Sequence, residues 1–290
     1  MRYDWHEYLV GPARERPELW RSIAGLVLAG VFYAVMLFGF FGLMALVLPN
    51  LGEATFLGRE PFDLILILSS FAFMTLGTVL AAFLLQGRMP LSLIGPIPLA
   101  LNDFWIVLRL GAVLIGLSLL LPTPIEGELS ANLDLGLWAM LLPLSLLVLL
   151  IQVSAEEILF RGYFQSQLAA RFKSPLVWMI VPSVIFGALH YDPAAAGENA
   201  WLIALWAVFY GIMLADITAR SGTLGPAIAL HLLNNASAIL IVSAQGDLSG
   251  LSLYSFPFSL ADTEVVRAML PLEAVMMLIM WLGARLALRR

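Results

Sequence analysis

Cysteine is missing from all 290 residues. Its absence removes disulfides, thiolate nucleophiles, cysteine zinc sites and S-palmitoylation together, and leaves the redox compartment unreadable. Charge is almost as scarce: 12% of the residues are Asp, Glu, Lys or Arg, about half the usual 25% of a soluble domain. A water-facing surface cannot be built from so few. Fifteen Lys and Arg against twenty Asp and Glu leave a net charge of −5, which argues against nucleic acid as a partner. Internal repeats and low-complexity tracts are also missing. What fills the chain is apolar: 61% hydrophobic residues, gathered in blocks rather than amphipathic stripes. Intrinsic disorder, a secreted disulfide scaffold and a cytosolic enzyme are excluded. The composition describes a polytopic membrane protein whose first partner is the lipid bilayer.

A bilayer core takes about 20 apolar residues per helix. Eight candidate spans follow: Ser22–Pro49, Phe62–Gln86, Phe104–Leu121, Gly136–Phe160, Leu176–Tyr191, Trp201–Arg220, Thr223–Ala244 and Val265–Leu288, the fifth being the shortest. Open strands leave their backbone unsatisfied in lipid, and no ten-residue alternating pattern occurs, so the fold class is an all-α transmembrane bundle. Basic residues set its orientation. Arg2, Arg14, Arg16, Arg21, Arg88, Arg161, Arg171, Lys173, Arg220, Arg285, Arg289 and Arg290 all fall on one side, against Arg59 and Arg267 on the other. The opposite loops carry acids instead, among them Glu60, Glu126, Asp134, Glu198 and Asp247. Both termini are expected in the cytoplasm. The leader before the first span mixes charges with Tyr3, Trp5, Tyr8 and Trp20, a pattern expected of a segment lying at the headgroup level.

Ionisable groups inside spans are costly and therefore functional by default. Of three histidines, His6 lies in the leader, whereas His190 and His231 are intramembrane. The fourth span ends in two adjacent carboxylates, Glu156 and Glu157, followed by Arg161. Glu157 and Arg161 are i,i+4 and stack on one face in the favourable order, which makes them the expected structural ion pair. Glu156 points about 100° away and is left for chemistry. Phe186 shares a face with His190, and His231 with Asn235. Three spans can thus aim Glu156, His190, His231 and Asn235 at one point. A Glu–His pair activates water for attack on a carbonyl, and a second His with an amide supplies oxyanion donors. Glu156, His190 and His231 also form a possible zinc-ligand set, though Asn is a poor zinc ligand. Taken singly, a buried Glu–Arg pair is usually structural and an intramembrane His often an interhelical hydrogen bond. Together they account for both intramembrane histidines.

Competing signatures fail. His6-Glu7 begins an H-E-x-x-H, but Val10 stands at its second His. Ser221-Gly222 lacks the glycine of a G-x-S-G, and Tyr191-Asp192 lacks a partner G-x-G-D. A transporter reading rests on Asp216, Glu273 and Arg109 as a polar path, and a non-catalytic scaffold remains a further alternative.

At these residues the chain resembles the CPBP family of intramembrane proteases, which includes type II CAAX prenyl endopeptidases and bacterial relatives linked to bacteriocin immunity. Its three motifs occur in order: Glu156-Glu157-Ile-Leu-Phe-Arg161, Phe186-Gly-Ala-Leu-His190 and His231-Leu-Leu-Asn-Asn235, the last preceded by Ser221-Gly-Thr-Leu-Gly-Pro226. The resemblance implies that Glu156 activates water with His190 while His231 and Asn235 stabilise the oxyanion, or that the same residues bind a metal. It implies a membrane-bound protein or peptide substrate and a multi-pass place in a bacterial inner membrane. The chain then divides into a leader (1–21), N-terminal helices (22–134), a catalytic core (135–245) and an outer loop with the last helix (246–290). Counting about 1.5 Å per residue from the cytoplasmic helix ends puts His190 about 20 Å deep, His231 about 12 Å deep and Glu156 shallower still.

Overall fold

A computed structural model describes residues 3–48, 52–118, 120 and 128–289. Arg2, Pro49, Leu121, Glu126 and Arg290, used above to count spans and charges, lie outside the described residues. Eight helices stand where eight apolar blocks were read: α1 Leu19–Val47, α2 Pro61–Ala81, α3 Ile97–Ser118, α4 Leu135–Glu157, α5 Pro175–Ala188, α6 Ala200–Ser221, α7 Gly225–Ala236 and α8 Thr263–Leu288. Among the described residues, six helical segments are long and apolar enough to cross a membrane. The segments built on α5 and α7, Pro175–Ala188 and Gly225–Ile241, are shorter. The eight-span expectation is therefore corrected to six full-length helices and two short ones.

The helix boundaries follow local chemistry. Proline opens α2, α5 and α7 in the first turn, where its missing N–H costs nothing. Asp134 caps α4 by accepting from the backbone N–H of Gly136 at 2.9 Å and Leu137 at 3.1 Å, a cap worth about 1 kcal/mol. The third block starts seven residues earlier than expected, at Ile97 rather than Phe104. The added turns carry the polar pair Asn102 and Asp103, and Asp103 is buried at 1% exposure.

The fourth helix does not stop at Phe160. It passes through a π-helical stretch, Ile158–Gln165, and continues to Arg171. Arg161 is thus an interior helix residue and not a loop charge, which removes it from the orientation count. Glu156 lies fifteen residues before the end of this segment and not close to it, and its carboxylate meets His231 at 3.5 Å. The seventh block ends in a π-helical turn, Ser237–Ile241, and then becomes a strand. That strand (β2, Val242–Gln245) runs parallel to β3 (Tyr254–Ser259), whose other edge pairs antiparallel with β1 (Ser130–Ala131). The all-α reading holds for the bundle and misses this small sheet of the connecting loops.

Within the bundle α6 is central. Of its most apolar window 61% is buried, against 11% for α1 and for α8. Helix α7 passes very close to α3: a Cβ on Gly225 would strike the backbone carbonyl of Ala100. Backbone cannot move aside as a flexible side chain can, so Gly225→Ala is expected to destabilise by about 1–3 kcal/mol. Thermal unfolding in detergent reads this directly, and an unchanged midpoint would contradict the packing.

The leader is docked, not merely interfacial. Leu9, Val10 and Ala13 are buried. Tyr3 packs edge-on to Trp178 at 5.5 Å and donates to Asp216 at 2.8 Å, whereas Trp5, Tyr8 and Trp20 stay exposed. Arg88 fastens the leader by donating to the Leu9 carbonyl at 3.2 Å and to Ser166 Oγ at 2.7 Å. His6 lies against Trp178, with ring centroids 4.9 Å apart. Burial holds its imidazole down at about 4, against an ordinary value of about 6.5. A folded pKa below the unfolded one means stability is lost as pH falls from about 6.5 towards 4, by up to about 3 kcal/mol. Protection factors of amides 3–15, each referred to the intrinsic exchange rate at its own pH, are expected to fall between pH 7 and pH 5, and His6→Phe to suppress that change.

Candidate active site

The site is built where α4 meets α7. The two helices run antiparallel, so residues one turn apart on each face one another in two rungs. In the first rung His231 Nε2 lies 3.5 Å from Glu156 Oε2. In the second, Asn235 Nδ2 donates to Gln152 Oε1 at 3.0 Å. The i,i+4 spacing of Gln152 with Glu156, and of His231 with Asn235, stacks the rungs about 6 Å apart. Glu156, His231 and Asn235 thus lie along the same α4–α7 contact.

Glu157 takes a larger part than its expected role as an ion-pair partner. Its Oε1 accepts from Arg161 at 2.9 Å and from His231 Nδ1 at 2.8 Å. Both Glu157 and Arg161 are at most 1% exposed. Arg161 also donates to the Gly211 carbonyl at 3.2 Å and stacks over Phe186 at 4.7 Å. The π-helical stretch that begins at Ile158 carries this guanidinium back beneath the carboxylate. An ionised carboxylate only accepts, so His231 Nδ1 must carry the hydrogen and Nε2 is the nitrogen presented to Glu156. Tyr210 closes the far side, its ring edge-on to His231 at 5.7 Å.

His190 stands apart from this row. It lies just past the end of α5 and is exposed. Its Nδ1 is 2.8 Å from the Phe186 carbonyl. A carbonyl cannot donate, so here too Nδ1 carries the hydrogen. The Phe186 ring touches both imidazoles, with centroids 4.5 Å from His190 and 6.0 Å from His231. Glu156, His190 and His231 therefore do not converge as a zinc-ligand set. Among the described residues no three His, Asp or Glu side chains group as metal ligands.

The residues of the transporter reading serve separate neighbourhoods. Asp216 accepts from Arg220 at 2.7 Å, Tyr3 at 2.8 Å and Trp281 at 3.1 Å, a structural knot. Arg109 donates to the Trp105 carbonyl at 3.0 Å. Glu273 faces a cavity of about 460 Å³, otherwise mostly apolar, that shares Tyr210 and Asn234 with the site and is walled by Met213, Met276 and Met280. Gln152, Asn234 and Tyr210 were given no role by the sequence reading, which took Asn235 as the one amide of the site. A lone amide four residues before Glu156 in an apolar helix was the available signal.

Residues 138–237 match the family described as Type II CAAX prenyl endopeptidase Rce1-like. The uncharacterized protein YyaK of Bacillus subtilis (strain 168) is 24% identical over 110 residues, which cover 38% of this chain and 37% of that protein. The chain thus matches little more than a third of this relative's length. No solved structure matches it. The matched stretch runs from within α4 to the end of α7 and contains Glu156, Glu157, Arg161, His190, His231 and Asn235, and with it the likeness to the type II CAAX prenyl endopeptidase family stands.

Proposed function

We propose that this integral membrane protein is an endopeptidase that hydrolyses a peptide bond of a membrane-associated protein or peptide, with Glu156 as the base. The observation that carries the reading is the buried Glu156 Oε2, which lies 3.5 Å from His231 Nε2 and has no hydrogen-bond partner among the described residues. Glu157 and Arg161 hold His231 from behind. Glu156 takes a proton from water while the water oxygen bonds to the scissile carbonyl carbon. The carbonyl π pair moves onto oxygen, where an Asn235 N–H receives it. The proton on Glu156 then passes to the leaving amine as the C–N bond breaks. His231 Nε2 shares the proton held by Glu156, and His190 offers its Nε2 at the exposed edge of the site.

The family likeness supports a substrate with a C-terminal CAAX-type sequence, and the apolar cavity beside Tyr210 supports a lipid-like anchor on it. The charge bias supports cytoplasmic termini and a cell (inner) membrane. Residues 135–245 serve as the catalytic core. Purified protein reconstituted in vesicles tests the reading with two peptides, one prenylated and one held by a transmembrane anchor. Cleavage in isotopically heavy water is expected to place one heavy oxygen in the new carboxylate. Absence of cleavage of both peptides, under conditions where the protein is folded, would overturn the proposal.

A further inference from the structure

We propose that Gln152 is a positioning residue for the reaction, holding the Asn235 amide so that a single N–H is left to meet the oxyanion. The inference rests on the reading of Asn235 as the oxyanion donor. Gln152 is 6% exposed in a helix that is otherwise almost wholly apolar through the membrane, and burying an amide without a partner is costly. Its partner is Asn235, whose Nδ2 donates to Gln152 Oε1 at 3.0 Å. Asn234 holds the other end of the same amide, donating from Nδ2 to Asn235 Oδ1 at 3.1 Å.

The count of hydrogens decides what remains. A carboxamide has two N–H donors and one carbonyl acceptor. The Asn235 acceptor is engaged by Asn234 and one donor by Gln152. One N–H is uncommitted, on the helix face that His231 shares one turn away. With both ends of the amide held, its plane cannot rotate about the terminal torsion, which is otherwise broad and soft. A donor fixed before the oxyanion forms costs no reorganisation when the charge appears. Gln152 thereby makes α4 contribute twice, with Glu156 reaching the water and Gln152 steadying the donor one turn away.

The test uses the full chain reconstituted in vesicles, with kcat and KM measured on the cleaved peptide. Asn235→Ala is expected to lower kcat about 100-fold. Gln152→Met keeps the side-chain shape and removes the acceptor. It is expected to lower kcat about tenfold with KM unchanged. Gln152→Glu keeps an acceptor for the same N–H and is expected to restore kcat to within about threefold of the parent. Gln152→Met added to Asn235→Ala is expected to cost nothing more, because the group it steadies is gone. Asn234→Ala, which frees the amide from its other end, provides a second variant with the same expected loss. A full additional loss in the double variant, or a Gln152→Met enzyme with unchanged kcat, overturns the positioning role and leaves the Asn235 reading intact. An Asn235→Ala enzyme with unchanged kcat overturns both.

Discussion

Glu156→Gln is expected to lower kcat by about 10²–10⁴-fold, the usual contribution of a general base, while leaving the fold intact. The substitution is isosteric, and the residue bears little structural load. Its Oε2 stands 3.5 Å from His231 Nε2, whereas Glu157 one residue on makes two contacts under 3.0 Å. A glutamine cannot take a proton from water, so the loss falls on kcat rather than on binding. Peptidase assays in vesicles, beside a thermal midpoint for each variant, make the comparison. Full activity in Glu156→Gln would remove this residue from the chemistry.

The second large effect is on stability. Arg161→Met leaves the Glu157 carboxylate at 0% exposure without its cation, and an uncompensated buried charge costs about 3–5 kcal/mol. The variant also loses the bond to the Gly211 carbonyl and the stacking over Phe186. A thermal midpoint lower by about 10 °C is expected for a chain of this size. Replacing both partners, Glu157→Met with Arg161→Met, is expected to recover much of that loss, since no lone charge remains. Activity is expected to stay low in the double variant, because His231 Nδ1 has lost the acceptor that fixes its ring. Recovery of activity together with stability would mean that Glu157 does nothing for His231.

Much of this site is legible in the sequence because i,i+4 spacing is a local property. Glu157 with Arg161, and His231 with Asn235, fall on common faces whatever surrounds them. The link between Glu157 and His231 is not local. It depends on how α4 and α7 cross, and side-chain spacing within one helix carries no information about that. The same limit explains why the sequence groups His190 with Glu156, whereas the chain places it past the end of α5 behind Phe186. The eight apolar blocks are read correctly as helices because lipid leaves the backbone no alternative. Their ends are less legible. The π-helical continuation after Glu157 contains Arg161 and Gln165, polar residues that look like an exit from the membrane and instead pack inward. The strands β2 and β3 escape notice because they are short and border an apolar run.

Helix α5 has a physical consequence for the lipids that touch it. Its fourteen residues rise only about 21 Å, against a hydrocarbon slab of about 30 Å. Its outer side is bare, with Val184 at 47% and Leu189 at 72% exposure. A bilayer meeting so short a wall thins locally, at a cost of a fraction of a kcal/mol per Å of mismatch. Headgroups and the water they carry are then expected to be drawn inward at the end of α5 where His190 stands. Acyl-chain length is thus expected to enter the energetics of this protein, and such a dimple would bring water towards the site of the proposed hydrolysis.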